Sequence, residues 1–200
     1  MKILLVGGNG TIGKRVAAAL TNRHELIIAG RSSGDVQVDI SAETSIATMF
    51  KQVGKIDACI CTAGTGFYGA FDSMSAADMQ PGLAGKLMGQ VNLVLIGKDY
   101  LNEAGSFTLT TGIAAEMPAR NGACVAMING AINSWVLAVA QELKKDRRIN
   151  AVSPGLVADS FERYGAFFPG YDVVPMDKVT NAYVLSVEGA VTGKILKAYA

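Results

Sequence analysis

The sequence predicts an α/β fold, a doubly wound parallel sheet of about seven strands flanked by helices. Three observations lead there. Apolar runs of strand length alternate with helical segments along all 200 residues, the pattern required by parallel strands joined through helical crossovers. The first run, Lys2 to Val6, passes directly into Gly7-Gly8-Asn9-Gly10-Thr11-Ile12-Gly13 and then into a helical stretch ending at Leu20, a strand-turn-helix unit with glycines three apart. No internal repeat, low-complexity tract or linker interrupts the chain, so residues 1–200 are read as one domain around one substantial core.

After Lys2 to Val6, strands are expected at Glu25 to Ala29, Val36 to Val38, Asp57 to Cys61, Gly105 to Leu109, Ile149 to Val152 and Lys194 to Ala198, each a short apolar run. Helices are expected near residues 11–22, 42–53, 75–103, 121–145 and 177–187, where the pattern is amphipathic. Right-handed crossovers place them on both faces of the sheet. Residues 156–176 are rich in Gly, Pro and aromatics and lack a clear period. Ligands of open α/β sheets bind beyond the carboxyl ends of the strands, so this segment is read as the wall of a substrate pocket, a packed connector, or both.

Half of the residues are apolar and the formal net charge is +1. With both signs interspersed there is no electrostatic footprint for nucleic acid or for an anionic membrane, so neither partner is expected. The apolar stretch before the first glycines is too short for a signal-peptide core, and no run reaches the ~20 residues that span a bilayer. A cytoplasmic location is the expectation. Cys59 and Cys61 lie two apart in a strand and share a face without disulfide geometry, while Cys124 is distant, so buried thiols in a reducing compartment are expected. His24, the one histidine, precedes the second strand and is read as a surface residue; no His-based triad or metal site is expected.

Glycines three apart at a strand-to-helix junction permit a tight turn, close backbone approach to phosphate and close packing of helix on strand. The first helix then aims its amide-rich end at the anion. Gly7, Asn9, Gly10, Thr11, Ile12 and Gly13 are therefore expected to cradle a dinucleotide pyrophosphate, the alternative being a glycine turn that binds nothing. At the end of the second strand, an Asp or Glu would accept from the ribose 2′-hydroxyl of NAD; this chain has Arg31-Ser32-Ser33 instead. A guanidinium and two hydroxyls suit a 2′-phosphate, which favours NADP(H) over NAD(H), the alternative being a solvated loop arginine. Asp39, followed by Ile40, is placed to accept from the adenine amino group, and helix N-capping by Asp39 or Ser41 explains it equally well.

Taken in order, the motifs resemble the short-chain dehydrogenase/reductase family over nearly the whole chain. Cys61-Thr62-Ala63-Gly64 is similar to the family's NNAG element with its first two asparagines replaced, which implies that Thr62, Ala63 and Gly64 support the adenine-ribose side. Val91-Asn92-Leu93 resembles the segment carrying the central-helix asparagine that holds a water in a proton relay, which implies that role for Asn92. Leu109-Thr110-Thr111-Gly112 falls where the family has its substrate-orienting serine, and Thr111 keeps the hydroxyl. Ile149-Asn150-Ala151-Val152-Ser153-Pro154-Gly155 is close to VNAVSPG, which implies that Pro154 and Gly155 lie against the nicotinamide. The glycine spacing is that of the family's atypical and extended branches. The resemblance implies a Rossmann-type fold, a small-molecule substrate, and a homodimer or homotetramer built on the central helix and the helix of Trp135. At 200 residues the chain is shorter than is usual for the family, which implies a smaller lid over the substrate.

One motif departs. Where the family has a tyrosine followed four residues later by a lysine, this chain reads Val125-Ala126-Met127-Ile128-Asn129-Gly130-Ala131, with Val125 at the tyrosine position and Asn129 at the lysine position. Reduction of a ketone builds negative charge on oxygen, so a proton or hydrogen bonds must be supplied there. Valine has no proton to give. Asn129 can hydrogen-bond the nicotinamide ribose but relays no proton. Tyr68, Lys86 and Tyr164 are the candidate substitutes, each equally explicable as a structural or solvated residue, and Cys124 reads as core. The sequence thus leaves an NADPH-dependent reductase of small carbonyl compounds with a non-standard proton donor, a catalytically silent NADP(H)-binding or sensing module, and a dimeric scaffold with a vestigial site.

Overall fold

A computed structural model describes residues 1–199. Its main sheet has seven strands in the order β3-β2-β1-β4-β5-β6-β9, all pairs parallel. The chain runs β1 (Lys2–Val6), α1 (Thr11–Leu20), β2 (Glu25–Gly30), β3 (Val36–Gln37), α2 (Glu43–Val53) and β4 (Ile56–Cys61). It continues through α3 (Ala76–Gly82), a π-helical segment (Leu83–Met88), α4 (Gly89–Gly97), β5 (Leu101–Thr110), α5 (Ala123–Val139) and β6 (Arg148–Pro154). Last come β7 (Leu156–Val157), α6 (Phe161–Tyr164), β8 (Val173–Val174), α7 (Met176–Glu188) and β9 (Lys194–Ala198). This is the Rossmann-type architecture the sequence predicts. The order reverses between β1 and β4, and the crevice beyond their carboxyl ends is where such sheets bind ligands.

Alternation within the strands builds two core layers. On one face Leu4, Val6, Cys59, Cys61 and Phe107 meet Ile46, Phe50, Leu93, Ile128 and Ile132 of α2, α4 and α5. On the other Ile3, Leu5, Ala58 and Ile60 meet Val16, Leu20, Val179 and Tyr183 of α1 and α7. Cys59 and Cys61 do share a face, and they and Cys124 are buried and free.

The structure departs from the sequence expectations in five places. The helix expected over 75–103 is three pieces: a Ser75–Asp78 capping box opens α3, Pro81 lies inside it, and the backbone then widens into the π segment before α4. β5 starts four residues early, because Leu101 is fully buried against Ile56 before an irregular stretch with Ala104 at φ 58°; pairing resumes at Ser106. Its polar Asn102-Glu103 disguises the strand. Residues 156–176, expected to be irregular, contain α6 and the two-stranded β7–β8 sheet. His24 is not a free surface residue: its side chain is mostly covered and Nε2 lies 2.8 Å from Glu188 Oε1. Neither Asp39 nor Ser41 caps α2, whose N-cap is Ala42 without a side-chain bond. Asp39 Oδ1 instead accepts from Ser41 N and Oγ, a local turn.

Candidate active site

The turn between β1 and α1 is held by its own backbone. Gly7 N donates to the Ala29 carbonyl and Gly10 N to the Gly7 carbonyl. A Cβ on Gly13 would stand 2.1 Å from the Gly7 carbonyl oxygen, so only glycine lets α1 approach this closely. The N-terminus of α1 has no side-chain cap and no acidic residue in its first turn; Thr11, Ile12 and Gly13 amides are thus left for an anion. Thr62 Oγ1 donates to the Gly7 carbonyl at 3.0 Å, locking the end of β4 to the turn. Replacing Gly13 with alanine is expected to push α1 off the turn and abolish dinucleotide binding, measurable by calorimetry alongside a melting curve. An unchanged affinity would show that the turn is not the anion site.

Beside the turn, Asn9 Nδ2 donates to Ser33 Oγ at 2.9 Å, so the β1 and β2 loops form one rim. Arg31 and Ser32 are exposed on it. Hydrogen bonds from the Ser41 side chain and amide hold the Asp39 carboxyl below its usual range, with a lesser contribution from Arg31. Ile40 is buried and packs on Gly89 at the start of α4. Ile12, Thr62 and Gly64 line the cavity beside the turn; the uncapped amides, the cradle at Gly13 that no Cβ would tolerate, and the exposed Arg31, Ser32 and Ser33 are groups that suit a dinucleotide.

The crevice opens into a pocket of about 190 Å³ whose lining joins both halves of the site: Ile12 and Gly64 on the dinucleotide side, Thr111, Asn129, Pro154 and Gly155 beyond. Residues 156–176 wall it through Leu156, Val157, Ser160, Tyr164 and Phe168. Tyr68 also lines it and stacks on Phe167 at 4.6 Å between ring centroids. Burial, with Tyr164 beside it, pushes the Tyr68 phenol up to about 12, making it a poorer acid than a free phenol. Thr111 is buried, its Oγ1 donating at 3.4 Å to the Val152 carbonyl. From α5 the pocket receives Val125 and Asn129, and α5 contains no tyrosine or lysine. Asn129 is 1% exposed and its Oδ1 has no partner.

Asn92 does not line this pocket; it is half-buried elsewhere on α4. The side chain delivered from the central helix is Lys86, which is 8% exposed and lies in the π segment. Its Nζ donates to the Thr111 carbonyl at 3.3 Å. Desolvation brings its ammonium down to about 8, opposed by the neighbouring Cys61. Gly64, at φ +111°, makes room: a Cβ there would lie 3.0 Å from Lys86 Cα, Cβ and Cγ. Gln90, which the motifs did not single out, is fully buried and grips both sides. Its Nε2 donates to the Lys86 and Thr110 carbonyls, and its Oε1 accepts from Thr110 N at 2.7 Å. The available signal was a lysine and a glutamine, beside Asn92, as the polar residues of the largely apolar run from Leu83 to Ile96.

Comparison with known proteins places this geometry. A family model described as Enoyl-(Acyl carrier protein) reductase matches residues 3–169. The chain belongs to the short-chain dehydrogenase/reductase family. A curated relative, the short-chain dehydrogenase/reductase ucsE of Acremonium sp, is 28% identical over 194 residues, covering 80% of this chain and 73% of that protein. The crystal structure of the protein lin1944 from Listeria innocua is similar at TM-score 0.98 and 44% identity over 100% of both chains. A small-chain dehydrogenase crystallised in complex with NADPH is similar at TM-score 0.87 and 27% identity, over 98% of this chain and 95% of that one. Short-chain dehydrogenases/reductases are oxidoreductases of NAD(P). Among the described residues no helix is long and apolar enough to cross a membrane.

Proposed function

We propose that this short-chain dehydrogenase/reductase is an NADP(H)-dependent oxidoreductase acting on a small carbonyl or alcohol substrate, with a degenerate tyrosine-lysine pair and a proton donor from outside α5. One observation carries it: a single pocket is lined both by Ile12, beside the glycine turn, and by Thr111, whose hydroxyl would exchange its long 3.4 Å bond to the Val152 carbonyl for a substrate oxygen. Gly7, Asn9, Gly10, Thr11, Ile12 and Gly13 would hold the pyrophosphate, Arg31, Ser32 and Ser33 the 2′-phosphate, and Asp39 and Ile40 the adenine. Thr62, Ala63 and Gly64 would hold the adenine ribose, and Pro154 and Gly155 the nicotinamide. When bound, the nicotinamide supplies or accepts the hydride. Asn129, with its unpartnered Oδ1, accepts from a nicotinamide ribose hydroxyl. The lining mixes apolar side chains with Lys86, Asn129 and several hydroxyls, and its volume limits the substrate to a small molecule. The NADPH held by a similar dehydrogenase supports the choice of cofactor.

The cofactor preference is tested by replacing Arg31 with alanine, which should weaken NADPH by roughly tenfold or more, as expected for a lost charge-assisted contact to phosphate, and leave NADH nearly unchanged in calorimetry. Equal losses for both would refute it. A carbonyl and alcohol panel with NADPH and NADP⁺ tests the activity.

A second reading is favoured by Val125, which puts an apolar side chain where α5 enters the pocket: a silent NADP(H)-binding or sensing module. It predicts NADPH affinity without turnover on that panel. We also propose a single-domain protein of cytoplasmic location that assembles as a homodimer or homotetramer. The exposed Leu95, Met127 and Leu137 of α4 and α5 support assembly, and light scattering on the purified chain decides it.

A further inference from the structure

We infer that Lys86 is the proton donor to the substrate oxygen, taking over the acid function that α5 does not supply; this rests on the oxidoreductase reading above. Among the described residues that line the pocket, Lys86 is the one whose side chain bears a formal charge, and none of them offers a carboxylate to pair with it. Its one hydrogen bond in the structure goes to the Thr111 carbonyl, so an ammonium with three donors retains capacity for an acceptor in the cavity. A buried cation without a counter-ion is costly to hold unless something anionic forms beside it. The alkoxide of a carbonyl under reduction is such a species.

A second observation points the same way. Asn129 reaches the same pocket from α5 with a buried carbonyl oxygen that lacks a donor. Lys86 offers donors, and the Asn129 carbonyl oxygen has a second lone pair beside the one given to the ribose hydroxyl, so a substrate hydroxyl can meet both. The supporting structure is costly and specific: the π segment sets the phase of Lys86, Gln90 ties its carbonyl to the end of β5, and Gly64 clears space for its stem. Single π turns of this kind recur at functional sites.

In the reduction, the carbonyl carbon gains the hydride of a reduced nicotinamide and the π pair of the carbonyl moves onto oxygen. That oxygen takes a proton from Nζ. The resulting neutral amine regains its proton from water, and oxidation of the alcohol runs the same steps in reverse. The titratable groups around Lys86 do not compete. Cys61 from β4 is pushed up to about 12 by burial, Tyr68 from the following loop also to about 12, and Tyr183 of α7, behind Thr110, is pushed up as well. With Lys86 itself at about 8, the donor is protonated at neutral pH and poised near it. Reduction should therefore lose rate as pH rises through about 8.

The test uses the full chain with ¹⁵N-labelled lysine and the variants Lys86→Met, Lys86→Arg and Lys86→Ala. In the protein without cofactor, one lysine Nζ resonance, absent from Lys86→Met, should titrate near 8, apart from the other lysines; titration of that resonance together with the others overturns the assignment. In NADPH-dependent reduction of small neutral ketones and aldehydes, Lys86→Met should lower kcat by ~10²–10⁴ and erase the falling limb of the pH profile. Lys86→Arg should keep substrate affinity but lack the limb, because a guanidinium holds its proton. Lys86→Ala should regain rate with added protonated methylamine. If Lys86 merely anchors anionic substrates, Lys86→Met raises KM for carboxylate-bearing substrates alone and leaves kcat and the limb for neutral ones intact, which overturns the proposal. Failure of the wild type to bind NADPH would instead refute the reading on which it rests.

Discussion

Lys86→Met is expected to be more stable than the wild type at pH 7, although it loses activity. Burial brings the Lys86 ammonium from 10.5 down to about 8, a difference worth about 3 kcal/mol against the charged folded form. The sign follows from proton counts. Below about 8 the lysine is charged in both folded and unfolded chains, and the full cost of burying the charge is present. Between about 8 and 10.5 the folded chain has released the proton while the unfolded chain still holds it, so stability rises with pH; above that window nothing more is gained. Methionine removes the charge and leaves the Thr111 carbonyl without its lysine donor, a loss of about 1 kcal/mol, so a net gain of about 2 kcal/mol is expected at pH 7. Urea unfolding at a series of pH values checks it. Cys59, Cys61, Tyr68 and Tyr183 all have raised values, so both proteins lose stability in alkali. The difference between them isolates Lys86; it should fall by about 3 kcal/mol as pH rises from about 8 through 10.5 and end with the wild type about 1 kcal/mol the more stable, the hydrogen bond that methionine lacks. A variant less stable than the wild type at pH 7 would mean that Lys86 is not a desolvated cation. Such a residue, destabilising to the fold and kept in a pocket, is the trade expected of a functional group.

Gln90→Leu should be among the most damaging single substitutions outside the apolar core. It preserves volume and apolar packing but strips the partner from Thr110 N and the side-chain donor from the Thr110 and Lys86 carbonyls, all buried. Each buried polar group left unsatisfied costs ~1–3 kcal/mol, so a loss of roughly 3–5 kcal/mol is expected. Denaturant midpoints read that loss. Gln90 is argued to be a positioning residue for Lys86, so in the surviving folded protein the Lys86 resonance should also move towards those of solvated lysines. A destabilised variant whose Lys86 titration is unchanged would assign Gln90 to the joint between α4 and β5 alone.

Much of the fold was legible because its determinants are local. The core strands alternate between two buried faces, and Gly7, Gly10 and Gly13 form a turn whose requirement for close approach is met within seven consecutive residues. Strand ends were less legible where a polar pair, as at Asn102-Glu103, sat inside β5. The active-site helix was misread for a different reason. The segment from Leu83 to Ile96 is apolar nearly all round, so no hydrophobic period fixes which side faces the pocket. Lys86 and Asn92 are six residues apart, which on an α-helix sets them about 120° apart around the axis. The π segment shifts that phase again. The motif pointed to Asn92, which does not line the pocket, while Lys86, which the sequence offered only as one of three substitute acids, does.

The sequence by itself determined the parallel α/β architecture, the position of the glycine turn between β1 and α1, the presence of Arg31-Ser32-Ser33, with no carboxylate among them, directly after β2, and the absence of tyrosine and lysine from α5. Each depends on residues adjacent in the chain or on a period of two or about four. Only the tertiary structure decided that Lys86, Thr111, Val125 and Asn129 share one pocket, that Gln90 fixes the first of these, and that residues 156–176 close it. Those residues come from elements far apart in sequence, and the charge state of a lysine is set by what surrounds it in space. Desolvation, unlike periodicity, leaves no mark in the order of the residues.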